Sequence, residues 1–310
     1  MTRNSSLASA RATQQRLEEL GLAARKHLGQ HFLVDDGVVG KILRLAAVGT
    51  ADRVVEVGPG IGTLTEALLA QGAELIAVEL DAGLCEGIAA RYPAVQLIRG
   101  DALEAQILAR LQDLAPLALV ANLPYGAAAT IILAYFQRLP SLRSATVMVQ
   151  HEVAERIAAV PGNKDYGAYT IKLRLLASLA GRFKVQAQSF YPPPRVDSAV
   201  IRLERLGCAG EPTEDGSPVS PAGSPASRLL AAASQLADAA FFQRRKTIHN
   251  SMQAYCAVHG LAVERVDALL AAAEIDPGAR GETLEPESYL AMARVLRAWQ
   301  ESDDEPSLPS

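Results

Sequence analysis

The chain reads as an α/β protein in which a parallel sheet wrapped by helices is followed by a small all-helical domain. Three observations carry that reading. From Arg53 onward short apolar runs alternate with helix-like segments: Val54–Val57, Leu64–Ala70, Leu75–Leu80, Leu84–Arg91, Val95–Ile98, Ile107–Leu111, Leu117–Ala121, Ile131–Phe136 and Thr146–Val149. Polar residues stand at successive strand ends, namely Gly58, Glu79, Asp101 and Asn122. A stretch rich in Gly, Pro and Ser, residues 207–227, then gives way to helical periodicity up to Trp299.

With 310 residues, 49% apolar and 21% charged, the chain can bury two moderate cores, and two domains are the default. The expected organisation is an N-terminal extension (1–24), a catalytic domain (25–206), a flexible linker (207–227), a helical domain (228–300) and a disordered acidic tail (301–310).

In the extension, Leu7–Leu22 suggests an exposed or loosely docked helix. Arg25–Leu33 has neither regular period. It is a basic, Gly-containing loop able to close over a ligand, or an ordinary arm. Asp35 or Asp36 then caps a helix carrying Val38, Val39, Ile42, Leu43 and Leu45.

After Gln150, helical periodicity is expected in His151–Val160 and Tyr169–Leu179. Strands are expected in Phe183–Gln188 and Ala199–Leu203, with a hairpin-like edge around Pro192–Asp197. His151 and Glu152 begin a helix. In the last domain the expected core is Leu229, Leu230, Leu236, Phe241, Phe242, Ile248, Met252, Leu261, Val266, Leu269, Leu270, Leu290 and Leu296.

The net charge of −4 weighs against a nucleic-acid partner, but its distribution weakens the objection. Residues 207–227 and 301–310 hold seven acids and no Lys or Arg, so the rest of the chain stands at +3. Cys85, Cys208 and Cys256 are scattered, without metal spacing, and read as reduced thiols with no part in catalysis. The longest apolar runs fall short of a membrane span and residues 1–24 lack a secretory segment, so a soluble, cytoplasmic protein without membrane contact is expected.

The chemistry is placed at the end of the run Leu117–Ala121, in Asn122-Leu123-Pro124-Tyr125. Asn122 can accept a hydrogen bond from the exocyclic amine of a flat base, a carbonyl at Leu123 or Pro124 can take its second proton, and Tyr125 can stack on the ring. Drawing both protons outward takes the nitrogen lone pair out of conjugation and makes the amine nucleophilic. A plain strand-to-turn reading of the tetrapeptide stays open.

Glycines 58, 60 and 62 let the backbone approach a ligand and turn into a helix. The spacing departs from Gly-x-Gly-x-x-Gly, because Thr63 stands where the third glycine would. Glu79 can bind both hydroxyls of a ribose, which alone does not separate a dinucleotide from an adenosyl cofactor. Asp101 can accept from an adenine amino group.

Lys26–Leu33 (KHLGQHFL), Glu56–Thr65 (EVGPGIGTLT), Val78–Asp81 (VELD), Gly100–Leu103 (GDAL), Asn122–Tyr125 (NLPY), Phe190–Val200 (FYPPPRVDSAV) and Phe242–Thr247 (FQRRKT) together resemble the KsgA/RsmA ribosomal RNA adenine dimethyltransferases over about Arg25–Leu290. The resemblance implies a Rossmann-like methyltransferase domain that uses S-adenosyl-L-methionine. Its implied substrate is two adjacent adenosines in the 3′-terminal hairpin of 16S rRNA, each dimethylated on N6 within a 30S precursor subunit during ribosome biogenesis. A monomer is expected.

Carried over by position, His31 and Leu33 touch the cofactor, Gly58 its methionine part with Gly60 beside it, Glu79 the ribose, and Asp101 the adenine with Ala102 beside it. Asn122 borders both cofactor and target, Asn122–Tyr125 hold the target base, and Phe190 covers its other face. His31 stands where many relatives have Asn.

The resemblance points Arg244, Arg245 and Lys246 toward RNA binding or toward packing on the first domain, with a solvated charged face as the alternative. Three consecutive basic residues on a helix fan across more than half its circumference. Methyl transfer from a sulfonium needs donor and amine at near-attack distance and no dedicated base. The ring face of Tyr125 can favour the developing charge. Two other classes remain: an adenine N6-methyltransferase of large-subunit RNA or DNA, and a non-catalytic small-subunit assembly factor.

Overall fold

The computed structural model describes residues 3–24, 30–207, 225–258 and 263–303. From the N-terminus, α1 (Ala10–Glu19), β1 (Phe32–Leu33) and α2 (Asp36–Ala46) precede the alternating region. That region runs β2 (Arg53–Val57), α3 (Thr63–Ala70), β3 (Glu74–Glu79), α4 (Ala82–Arg91), β4 (Gln96–Arg99), α5 (Ala105–Leu114), β5 (Ala118–Asn122), α6 (Ala128–Arg138) and β6 (Ser144–Gln150). There follow α7 (His151–Ala158), α8 (Ala168–Arg174), β7 (Ala177–Val185), β8 (Phe190–Tyr191) and β9 (Ser198–Arg205). The chain then forms α9 (Pro225–Phe242), α10 (Ile248–Val258), α11 (Val266–Ala272) and α12 (Pro286–Asp303).

The main sheet has the order β4-β3-β2-β5-β6-β9-β7. Strands β4, β3, β2, β5 and β6 are parallel, whereas β9 runs antiparallel to both β6 and β7. Burial on both faces explains why β2 and β3 read as short apolar runs, broken in β2 only by the buried Glu56. Edge strand β7 is largely exposed, and its apolar signal is correspondingly weak.

Register brings the strand ends level, with Val57 opposite Val78 and Glu79 opposite Arg99. Two ladder bonds continue past the ends, Gly58 N to Val78 O (2.9 Å) and Gly100 N to Glu79 O (2.9 Å), and fix the loops that follow.

The chain divides into two compact units, Met1–Ala154 with Ala177–Val219, and Glu155–Leu176 with Ser220–Ser310. The second unit therefore claims residues that the sequence assigned to the catalytic domain. Tyr166, Ile171 and Leu175 are buried among Leu236, Ile248, Met252, Leu269, Tyr289 and Met292, so apolar burial sets the boundary. The expected helix over Tyr169–Leu179 ends at Arg174, and its last residues belong to β7.

The N-terminal segment is docked, not loose. Leu7 and Leu17 are buried, and Asp36 accepts from the Asn4 and Ser5 amides, each at 3.0 Å. Asp35 caps α2 by accepting from Val38 N.

Phe242, expected in the core, is 86% exposed. Arg244, Arg245 and Lys246 lie in the turn between α9 and α10, not on a helix. Helix α12 runs to Asp303, so the acidic tail starts as helix. Leu261, Cys208, Arg25–Gly29, most of the 207–227 linker and 304–310 lie outside the described residues. No described helix is long and apolar enough to cross a membrane.

Candidate active site

A cleft of about 610 Å³ opens at the carboxyl ends of β2, β3, β4 and β5, where the topology of such sheets places ligands. It brings together His31, Leu33, Gly58, Gly60, Glu79, Asp101, Ala102, Asn122, Leu123, Pro124 and Tyr125 from segments far apart in sequence.

The turn after β2 depends on glycine at two positions. Gly60 has φ +59, and a Cβ there would come within 3.0 Å of the Phe32 ring. Gly62, at φ +96, opens α3, and its Cβ would meet the Tyr92 ring at 2.6 Å.

Glu79 is nearly buried and held by backbone amides. Its Oε1 accepts from Leu80 N (2.8 Å) and Asp81 N (2.9 Å), and its Oε2 from Gly60 N (3.2 Å). Burial raises its carboxyl above the usual range, and the amides of Asp81, Gly60 and Leu80 oppose that rise. The carboxylate thus ties the glycine loop to the end of β3 and, with three amides bound, keeps a lone pair on Oε2 for a ribose hydroxyl. Asp101 is exposed, and its Oδ1 accepts from Leu103 N (2.9 Å), which leaves Oδ2 as an acceptor at the rim.

Asn122 ends β5, and its Nδ2 donates to the His31 carbonyl (2.9 Å). That bond orients the amide, so Oδ1 is the free acceptor. Of the two candidate carbonyls, that of Pro124 already accepts from Ala127 N (3.0 Å), which makes Leu123 O the better second acceptor. The Tyr125 hydroxyl shares a 2.6 Å hydrogen bond with Ser198 Oγ, which fixes the ring. Burial holds the Tyr125 phenol above its usual value, with the Ser198 bond opposing.

The His31 imidazole stacks on Tyr125 with centroids 5.5 Å apart. Its Nδ1 donates to Pro192 O (2.7 Å), since a carbonyl can only accept. The separation is too small to admit a third ring between them, so a base stacking on that face of Tyr125 needs the imidazole to move aside.

Phe190 is not brought to the cleft. It is 3% exposed and packs with Leu33, Val38 and Val185 in the main core. It is paired with Leu33 across β1 and β8, where burial of the ring satisfies the ribbon's apolar face.

Sequence reasoning missed three lining or supporting residues. Glu56, 1% exposed, borders the cleft, and its Oε2 accepts from Thr65 Oγ1 (2.7 Å). Burial raises its carboxyl to about 8, with the Thr65 bond opposing and the Glu79 charge adding. An acid in the otherwise apolar run Val54–Val57 was the signal for it. Leu22 and Ser198 carried no comparable signal. Cys85 is buried with its thiol pushed up to about 11 by burial, and Cys256 is buried too.

Arg244, Arg245 and Lys246 are exposed. Arg244 Nε donates to Glu282 Oε2 (2.6 Å) and its Nη2 to Lys164 O (2.8 Å), which pins it within its own unit.

The family of ribosomal RNA adenine dimethylases matches residues 21–212. "Ribosomal RNA small subunit methyltransferase A" of Nocardia farcinica is 40% identical over 286 residues, covering 89% of this chain and 91% of that protein. Among solved structures, a dimethyladenosine transferase from Plasmodium falciparum superposes with a TM-score of 0.67 at 22% identity, covering 88% of this chain and 98% of that one. The 23S rRNA methyltransferase ErmE gives 0.58 at 24% identity, covering 86% and 99%. The two structures share the fold. The family match spans the glycine loop, Glu79, Asp101 and the Asn122–Tyr125 strand end, and with the Nocardia relative it establishes that this chain belongs to the ribosomal RNA adenine dimethylase family.

Proposed function

We propose that this protein dimethylates N6 of two adjacent adenosines in the 3′-terminal hairpin of 16S rRNA. Its donor is S-adenosyl-L-methionine, and it acts as a cytoplasmic monomer on a 30S precursor. The observation that carries the reading is the Asn122 amide, oriented by the His31 carbonyl so that Oδ1 is left to accept from an amine beside Tyr125.

The residues fit the donor. Glu79 Oε2 keeps a lone pair for a ribose hydroxyl, Asp101 Oδ2 is an acceptor at the adenine end, and the glycine turn gives close backbone approach for the methionine part. When bound, S-adenosylmethionine supplies an electrophilic methyl group. In the first transfer Asn122 Oδ1 and Leu123 O each accept a hydrogen bond from N6 and direct its lone pair out of the ring plane; in the second, one N6–H remains and one of these acceptors holds it. Tyr125, braced by Ser198, supports the base through its ring face and favours the charge that develops, a term of about 0.5–2 kcal/mol. After each transfer the methylated nitrogen carries positive charge and sheds one proton to water, so no carboxylate is needed in the tetrapeptide. Holding the reacting atoms in line is the main contribution. Phe190, inside the core, supports β1 and leaves the base to Tyr125.

The test is product formation on small subunits that lack the modification, read by mass spectrometry of digested RNA. Wild-type protein should yield dimethyladenosine in 16S rRNA. Asn122→Ala should lose roughly 10²-fold in rate and still bind RNA. Product only in large-subunit RNA or DNA would reassign the substrate, and no product on any RNA or DNA would favour an assembly factor.

A further inference from the structure

The N-terminal segment 3–24 is fastened to the cleft unit at several points. Glu66, in the first turn of α3, accepts from Ser5 Oγ (2.8 Å), Ser6 N (2.7 Å) and Ser6 Oγ (2.8 Å). Gln14 Nε2 donates to the Tyr191 hydroxyl (2.9 Å) on β8, and Arg16 Nη2 to Gly87 O (3.0 Å) on α4.

The apolar packing is more specific. Leu7 and Leu17 form one small core with Phe32, Ile61 and Leu84, joined by Leu20 and Leu22. Phe32 lies between His31 and Leu33, and Ile61 sits in the glycine turn. One cluster therefore holds both segments that border the cleft on this side.

Helix α4, which follows Glu79, is shaped to receive the segment. Gly83 and Gly87 are one turn apart on the same face. A Cβ at Gly83 would come within 3.0 Å of Leu22, and one at Gly87 within 2.9 Å of Leu20. The missing side chains let both leucines seat against the helix, and Leu22 reaches the cleft lining.

We propose that residues 3–24 are a strap belonging to the cofactor site: Leu22 walls the cleft on the Glu79 side, while Leu7, Leu17 and Leu20 hold the glycine turn and the His31–Leu33 arm in binding position. The inference rests on the S-adenosylmethionine reading above. Leu22 is a contact residue, and Leu17 and Leu20 are positioning residues that act through Phe32 and Ile61. Through these contacts the strap sets how tightly and how long cofactor and product stay bound.

The test uses the full chain and S-adenosylhomocysteine, with affinity read by calorimetry and dissociation by stopped flow. Leu22→Ala should weaken binding roughly fivefold through lost apolar contact, and Leu22→Met should restore it. Leu17→Ala combined with Leu20→Ala should speed dissociation by a similar factor although neither residue lines the cleft. Arg110→Ala, at an exposed position on α5 outside the strap, should change nothing. In turnover assays the cofactor KM should rise while the RNA KM stays constant, a split that general destabilisation would not produce. If the double variant melts below the assay temperature, the Leu22→Ala and Leu22→Met pair decides. Variants that bind within twofold of a wild type that binds well overturn the strap. A wild type that does not bind S-adenosylhomocysteine overturns the cofactor reading, and the strap falls with it.

Discussion

Glu56 and Glu79 are buried carboxyls at the ends of adjacent strands, and they make opposite demands. Glu79 is met by three backbone amides, whereas Glu56 has the Thr65 hydroxyl and keeps its proton to about pH 8. In the unfolded chain a glutamate loses that proton near 4.5, so the native state holds the extra proton between about 4.5 and 8. Stability from this group is full below the lower value and is lost as pH rises through the upper one. The slope is at most about 1.4 kcal/mol per pH unit. Glu56→Gln keeps an acceptor for Thr65 and should flatten the fall in melting temperature between about pH 5 and 8, measured by calorimetric scans. An unchanged pH profile would mean that Glu56 is ionised in the native protein. Glu79→Ala should cost roughly 1.5–3 kcal/mol of S-adenosylmethionine binding in titration calorimetry, and unchanged affinity in a folded variant would place the ribose elsewhere. Glu79 and Asn122 were legible in sequence because each is polar at a strand end. The role of Phe190 was not, since the aromatic string reads the same whether its ring faces cleft or core.

At the scale of elements, the parallel strands were legible because burial on both faces writes them as short Val/Ile/Leu runs. The α8–β7 junction was not. Leu173, Leu175 and Ala177 continue an apolar pattern with no Gly or Pro to break it, and pairing of Ala177–Val185 with β9 decides where the strand begins. Strand β9 also closes the end of α6. The buried Arg205 donates from Nε to Leu142 O (2.6 Å) and from Nη2 to Phe136 O (2.8 Å) and Leu139 O (2.9 Å). Arg205→Ala strands those carbonyls and should destabilise the protein by about 2–4 kcal/mol in urea titrations. Arg205→Lys should recover only part of the loss, because an ammonium cannot reproduce the planar fork. A loss under about 0.5 kcal/mol would mean that water replaces the guanidinium.

For the molecule as a whole, charge distribution sets the expected response to salt. If the turn after α9 meets phosphate, Arg245→Ala and Lys246→Ala should each lower the slope of log K against log salt by roughly 1. Arg244→Ala should lower it less, because Glu282 already pairs with that guanidinium. Equal slopes for wild type and all three variants would move the RNA contact elsewhere. Deleting residues 301–310 removes the end of α12 and the exposed Arg297–Glu301 pair. An exposed pair of that spacing is worth about 0.3–0.5 kcal/mol, so the melting temperature should fall by no more than about 2 °C. A larger drop would show that the segment is anchored.

What the chain determines locally is its periodicity and the polar residues that interrupt it. Those suffice for the alternating sheet, the glycine turn and the polar strand end at Asn122, because each depends on neighbours a few residues away. The tertiary structure alone decided four matters that depend on distant partners. It seated Leu20 and Leu22 on the bare face of Gly83 and Gly87, and turned Phe190 into the core. It drew Tyr166 and Ile171 into the helical unit, and aimed the Asn122 amide through the His31 carbonyl 91 residues earlier. Apolar burial and hydrogen-bond satisfaction are settled by whichever surfaces meet, and no local pattern in the sequence records which surfaces those are.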